Sequence, residues 1–141
     1  MFDKILLPTD GSEFSQHEVE RAIKLLADDG EIIILSVASK IVANTPFHRK
    51  KTVKKMNKQF KEEAKANVEN MASLFDDDVK LKKLVIAGIP SETIVDVAEK
   101  EDVDLIIIAA SSKSDLQKFF IGSVAERVLK GTERDVLLIH N

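Results

Sequence analysis

An aspartate, Asp10, follows the first apolar segment of the chain, inside the turn-forming stretch from Pro8 to Ser12. A carboxylate at the end of a buried strand can accept hydrogen bonds from a ribose hydroxyl or from the amino group of a base. Gly11 permits a tight turn, and Ser12 or Ser15 can cap a following helix. The stretch is therefore a candidate ligand contact; a turn followed by a helix cap is the alternative interpretation.

A second polar stretch runs from Ala109 to Ser123 and ends in Gly-Ser, where a helix is expected to begin. Backbone N–H groups and the positive end of the helix dipole make a helix N-terminus a binding site for anions. Gly122 would let a phosphate approach the backbone closely, and the Ser123 hydroxyl could donate a hydrogen bond. Lys113 or Lys118 could add positive charge. A capped helix start is again the alternative.

Five short apolar segments, rich in β-branched residues, predict the strands that position these loops. They are Ile5–Leu7, Ile32–Val37, Val79–Ile86, Leu105–Ala110 and Val136–Ile139. The third alternates with lysine at first, which indicates a strand nearer the sheet edge. Helical patterns separate the segments. We therefore predict an α/β fold with a doubly wound five-stranded, mostly parallel sheet of order 3-2-1-4-5 and helices on both faces.

This strand order brings the two polar stretches together. The first and fourth strands are neighbours, and the direction of winding reverses between them. Ligands of open α/β sheets bind at this switch point, outside the carboxyl ends of the strands. The loops after the first and fourth strands are the predicted site, and residues 1–141 are predicted to form a single domain.

Amphipathic patterns predict four helices. They run from Ser15 to Asp28, from about Arg49 to Phe75, from Ser91 to Lys100 and from Ser123 to Lys130. The predicted apolar face of the first helix consists of Val19, Ala22, Ile23 and Leu26. Gly30 and Gly131 follow the first and last helices, where we expect left-handed caps.

Composition and missing motifs exclude several classes of protein. The chain has 141 residues, a formal net charge of -3 and no cysteine. We therefore expect no general affinity for nucleic acid, no disulfide and no thiolate chemistry. The N-terminus lacks a signal-peptide pattern, and no apolar run approaches the roughly 20 residues that cross a bilayer, so we expect a cytoplasmic protein without a membrane segment.

Catalytic and metal-binding patterns are missing as well. The sequence contains no P-loop, no dinucleotide-binding glycine motif and no nucleophile elbow. The three histidines, His17, His48 and His140, share no metal-ligand spacing. We therefore expect no metal site. We also expect no enzyme, because no general base is placed for hydrolysis; slow hydrolysis of ATP is the alternative left open.

Four motifs occur in order along the chain. Pro8 to Ser12 ends the first strand, Gly88 to Pro90 reads Gly-Ile-Pro before the third helix, and Asp104 leads into the fourth apolar segment. Gly122 to Val128 reads Gly-Ser-Val-Ala-Glu-Arg-Val. Through these motifs and their spacing, the whole chain resembles the universal stress protein family. The resemblance implies a Rossmann-like, adenine nucleotide α-hydrolase-like fold, a role in the stress response and a homodimer, with Val136–Ile139 as the candidate pairing edge.

The resemblance also implies an adenine-nucleotide site, with ATP or AMP as the ligand and Mg²⁺ as a candidate companion. Asp10 would meet the base or ribose, Pro8 and Thr9 would line the pocket, and the backbone of Val37 would face the adenine. The residues around the ribose and phosphates would be Ala109, Ser112, Gly122, Ser123 and Val124.

The chain departs from the nucleotide-binding members at three positions. The family spacing of glycine, two residues, glycine, nine residues and Gly-Ser is kept, but its first two glycines are Ala109 and Ser112 here. A further glycine of that loop is Asp115, whose charge opposes phosphate binding. Asp10 and the Gly-Ser pair favour binding. The alternative is a dimeric interaction module of the non-nucleotide branch with a relict pocket.

Overall fold

The computed structural model describes residues 1–12, 15–41, 50–110 and 121–140. The strands in these ranges are β1 (Phe2–Pro8), β2 (Leu26–Ala38), β3 (Lys80–Ala87), β4 (Leu105–Ala109) and β5 (Asp135–Ile139). The helices are α1 (Ser15–Leu25), α2 (Lys50–Ala72), α3 (Pro90–Lys100) and α4 (Ser123–Gly131). None of these helices is both long enough and apolar enough to cross a membrane.

The strands lie in one sheet with the order β3-β2-β1-β4-β5, and every neighbouring pair is parallel. This confirms the predicted doubly wound fold and its strand order. In the sheet, Pro8 lies level with Leu35 of β2, and Leu6 lies level with Ile106 of β4. Because parallel strands end at the same edge, the loops after β1 and β4 open at one place.

The apolar segments form strands because helices cover both of their faces. Successive residues of a strand point to opposite faces, so Ile32 and Ile34 enter one core and Ile33 enters the other. The first core lies under α1 and α2, and the second lies under α3 and α4. A register slip of one residue would exchange the two sets of side chains, so this packing specifies the register.

The end of the first helix differs from the sequence prediction. α1 ends at Leu25 rather than Asp28, and the residue with left-handed backbone is Asp29 (φ 63°) rather than Gly30. Aspartate tolerates this conformation because its short side chain can form local hydrogen bonds. Gly30 is needed for space, since an added Cβ would lie 3.0 Å from the carbonyl oxygen of Asp3.

The last helix lies where the sequence predicts it, but the left-handed cap expected at Gly131 is not formed. Gly131 is the final residue of α4 and has no left-handed backbone, while Thr132 follows it with φ −109° and ψ 148°. The helix therefore ends by passing directly into extended backbone. The long second helix covers Lys50–Ala72, slightly less than its predicted span.

Polar contacts tie the elements together at the amino edge of the sheet. The Arg134 guanidinium donates to Glu99 (3.0 Å) and Asp102 (2.7 Å), which joins the turn before β5 to the end of α3. The backbone N–H of Lys4 donates to the Asp104 carboxylate (3.0 Å), which joins β1 to the start of β4. These contacts lie at the opposite end of the sheet from the loops of the predicted site.

Candidate functional site

A cavity of about 290 Å³ opens at the carboxyl edge of the sheet, bounded by the ends of β1, β2 and β4 and by the starts of α3 and α4. Its size is near the lower end of the range for small-molecule sites, about 300–1,000 Å³. Eight of the nine residues that the family resemblance assigned to a ligand line this cavity. They are Pro8, Thr9, Asp10, Val37, Ala109, Gly122, Ser123 and Val124. The ninth, Ser112, lies outside the described residues, as does Asp115.

The turn after β1 is held by its own side chains. The N–H of Thr9 donates to the carbonyl of Leu35 (2.8 Å) and continues the β1–β2 ladder by one residue. The Thr9 hydroxyl accepts from the N–H of Gly11 (3.2 Å), and Asp10 Oδ1 accepts from the N–H of Ser12 (3.0 Å). This network fixes the exposed Asp10 carboxylate at the cavity mouth. Its Oδ2 atom makes no hydrogen bond to a described residue and can accept one from a ligand.

The backbone of β2 extends beyond the end of its neighbour β1. Pro8 pairs with Leu35, whereas β2 continues to Ala38. Backbone groups two residues apart in a strand point the same way, so the N–H and C=O of Val37 point to the β1 side, as the Leu35 carbonyl does. β1 has already ended there, so the Val37 backbone can hydrogen-bond to the edge of a base.

The N-terminus of α4 forms the opposite wall. Gly122 is its N-cap residue, in extended backbone, and no side chain in the described part of the chain caps the helix. The N–H groups of the first turn have no acceptor within the helix. Ser123 and Val124, which carry two of these groups, line the cavity. These donors have no acceptor among the described residues, and together with the positive end of the helix dipole they make this wall suited to a phosphate.

Apolar side chains complete the cavity between these polar walls. Leu35 and Ile108 contribute from the sheet, and Pro90 and Ile94 contribute from the first turns of α3. The sequence identified Pro90 as part of a motif without assigning it to the site. A planar base can pack against such a surface while a few polar groups fix its orientation.

Sequence reasoning missed Glu18, a buried carboxyl of α1 that lines the cavity. Its side chain is 3% exposed, and within the described parts of the chain its Oε2 atom has no hydrogen-bond partner. Burial, assisted by the negative charge of Asp10, raises the pKa of Glu18 to about 8. The carboxyl is therefore mostly protonated at neutral pH, when it can both donate and accept a hydrogen bond.

The rotation of α1 about its axis explains the omission. The predicted apolar face contained Ile23 and Leu26, but Ile23 is 47% exposed and Leu26 is the first residue of β2. The buried residues of α1 are Glu18, Val19 and Ala22. The available signal was spacing, because Glu18 lies four residues before Ala22 and so shares its face of the helix.

Comparison with known proteins identifies relatives of the whole chain. The model of the universal stress protein family matches residues 1–140. Universal stress protein MJ0577 of Methanocaldococcus jannaschii is 34% identical over 155 residues, covering 99% of this chain and 95% of that protein. A solved structure of MJ0577 is similar at a TM-score of 0.74 and 35% identity, covering 99% of this chain and 96% of the other.

Two more distant solved structures contain adenine nucleotides. A universal stress protein in complex with cAMP has a TM-score of 0.61 at 21% identity and covers 99% of this chain and 97% of its own. A family protein from Arabidopsis thaliana with AMP bound has a TM-score of 0.59 at 17% identity, covering 96% and 90%. At these identities the likeness shows the shared fold alone.

Proposed function

We propose that this chain, which belongs to the universal stress protein family, binds an adenine nucleotide at the carboxyl edge of its sheet as a ligand rather than as a substrate. The observation that carries the proposal is the convergence of three groups on one cavity. They are the Asp10 carboxylate, the overhanging backbone of Val37 and the N-terminus of α4. Such groups respectively suit a ribose hydroxyl, the edge of a base and a phosphate.

The ligand class is supported by the family as well as by the cavity. One family member has been solved with cAMP and another with AMP. The described N–H donors at α4 suit one phosphate group. Contacts to the further phosphates of ATP, with Mg²⁺ as a companion ion, would come from residues such as Ser112, outside the described ranges. The proposal therefore includes AMP and ATP, and comparing their affinities measures the contribution of that loop.

Calorimetric titration with AMP, cAMP and ATP, with and without Mg²⁺, tests the proposal. A portion of the preparation is first denatured, so that any nucleotide retained through purification is released and detected. We expect binding that weakens at least about tenfold in Asp10→Ala, a loss of about 1.4 kcal/mol. Asp3→Ala is the matched control, because Asp3 is exposed near the other end of β1.

Two results would contradict the proposal. No heat at millimolar nucleotide, with none released on denaturation, would favour the alternative of a non-nucleotide interaction module. Steady release of phosphate or pyrophosphate from ATP would overturn the assignment of the nucleotide as a ligand rather than a substrate.

We also propose that the chain forms a homodimer through β5. This strand is an edge of the sheet, and Val136, Leu137 and Leu138 are only half-buried within a single chain. An apolar edge strand offers unpaired backbone groups to a second chain, and pairing would remove that liability. The cytoplasmic location expected from the sequence stays a prediction.

A further inference from the structure

The buried Oε2 atom of Glu18 has no hydrogen-bond partner among the described residues. Buried polar atoms are nearly always hydrogen-bonded, because leaving them without a partner costs the free energy of removing them from water. The same side chain lines the cavity. A ligand in the cavity could therefore supply the missing partner.

The charges around Glu18 determine which form of the carboxyl such a ligand would meet. Two of the described residues that line the cavity are titratable, Glu18 and Asp10. The walls formed by β2, β4, α3 and α4 contribute no titratable residue among those described. Among the described residues, one charged group shifts the pKa of Glu18. It is Asp10, in the loop after β1. Burial and that neighbouring carboxylate both disfavour the ionised form of Glu18.

From this geometry, and resting on the proposed nucleotide site, we propose that Glu18 contacts the bound nucleotide as a neutral carboxyl, so that binding an anionic adenine ligand is coupled to protonation of this residue. An anion entering the cavity beside two ionised carboxylates would meet like charges in a poorly solvated space. Protonation of Glu18 removes one of these charges. The resulting O–H can donate to a phosphate or ribose oxygen, and the second carboxyl oxygen can accept from the ligand.

The coupling predicts how affinity changes with pH. Below the pKa of the free site, nearly every molecule is already competent to bind. Above it, the competent fraction falls, and the apparent dissociation constant rises by the same factor. For a carboxyl with a pKa of about 8, the affinity for an anion falls about tenfold between pH 7 and pH 9.

The probe is cAMP, because its phosphodiester carries one negative charge throughout this pH range. Its dissociation constant is measured by calorimetry from about pH 6 to about pH 9, and each titration is repeated in buffers of different ionisation heat to count protons taken up. Adenosine serves as the uncharged comparison. We expect a smaller pH dependence for adenosine, because it introduces no negative charge beside Glu18.

Glu18→Gln is the decisive variant, since glutamine keeps the shape and a hydrogen-bond donor but cannot ionise. We expect it to bind cAMP with an affinity that is nearly constant with pH and without proton uptake. Glu20→Gln is the matched control, because Glu20 is exposed on the same helix and its replacement removes the same charge. This control is expected to behave like the unmodified chain.

Each remaining outcome counts against the inference. Binding of cAMP that does not change with pH, or a pH dependence that persists in Glu18→Gln, would overturn the role of Glu18 while leaving the nucleotide site intact. No binding of cAMP, AMP, ATP or adenosine by either protein at any pH would overturn the site and the inference together. Proton uptake separates a ligand contact from a structural role, since a purely structural Glu18 would alter stability without changing the number of protons taken up on binding.

Discussion

The backbone N–H of Gly122 donates a hydrogen bond of 2.6 Å to the carbonyl oxygen of Ala110. The contact joins the residue after β4 to the residue before α4, so both ends of the intervening loop are held at the cavity. The start of α4 is thereby tied to the end of β4 at the rim of the cavity.

Gly122→Val is expected to weaken AMP binding by at least about tenfold, because a branched side chain would enter the phosphate wall of the cavity. The backbone of Gly122 has φ −61° and ψ 156°, which valine adopts readily, so the fold should persist. Calorimetry measures the affinity and circular dichroism checks the fold. Ile121→Val, at the exposed preceding residue, is the control. Unchanged AMP affinity in Gly122→Val would show that the N-terminus of α4 does not contact the ligand.

Gly11→Ala is expected to destabilise the protein by about 1–3 kcal/mol. Gly11 has φ 80°, and an added Cβ would lie 2.8 Å from Cγ of Asn67 on α2. The companion double variant Gly11→Ala/Asn67→Ala should recover part of this loss, because it removes the collision but keeps the strained backbone. Urea unfolding measures both free energies. A single variant as stable as the unmodified chain would show that this turn adopts another conformation.

Gly131→Ala should act in the opposite direction and stabilise the protein by about 0.5–1 kcal/mol. Gly131 is the last residue of α4, and its backbone is not left-handed. An added Cβ would meet Cγ2 of Val95 at 3.4 Å, an ordinary contact. Alanine reduces the conformational freedom of the unfolded chain and favours the helix. The measurement is again urea unfolding. Destabilisation would instead indicate that Gly131 has the left-handed cap conformation expected from the sequence.

The stability of the unliganded protein should fall as the pH rises through the window set by Glu18. Its pKa is raised from 4.5 to about 8 by folding, so the folded state binds more protons than the unfolded state between these values. Stability is therefore highest below the lower pKa and decreases until the upper one is passed. We expect Glu18→Gln to abolish this contribution, which is on the order of 5 kcal/mol over the whole window. Denaturant unfolding at pH 5 and pH 8.5 tests this, and an identical pH slope in both proteins would contradict it.

Leu137→Lys on β5 is expected to weaken the proposed homodimer, because it places a charge at the pairing edge. Leu81→Lys is the matched control: Leu81 lies on β3, the opposite edge strand, and both leucines pack against the same core at intermediate exposure. Sedimentation velocity over a range of concentrations measures the dimer. A monomer at every concentration for the unmodified chain, or equal effects of the two variants, would argue against pairing through β5.

The strands and their order were predictable because burial on both faces leaves a local signature, as in Ile32–Val37. Chain topology alone then placed Asp10 and Gly122 at the same edge. The end of α1 was not predictable, because the choice of Asp29 over Gly30 depends on contacts with another strand. The position of Glu18 was not predictable either, since the burial of a carboxyl depends on how α1 is rotated over the sheet.

The parallel arrangement of the sheet has a practical consequence for handling the protein. β5 ends at Ile139, which pairs with Ala109 on the cavity rim, so a bulky group attached at His140 would lie close to the proposed site. Met1 is 80% exposed and precedes β1 at the other edge, about 20 Å away along a seven-residue strand. A sensor surface or fluorescent label coupled through Met1 would therefore leave the pocket open to exchange with the solution.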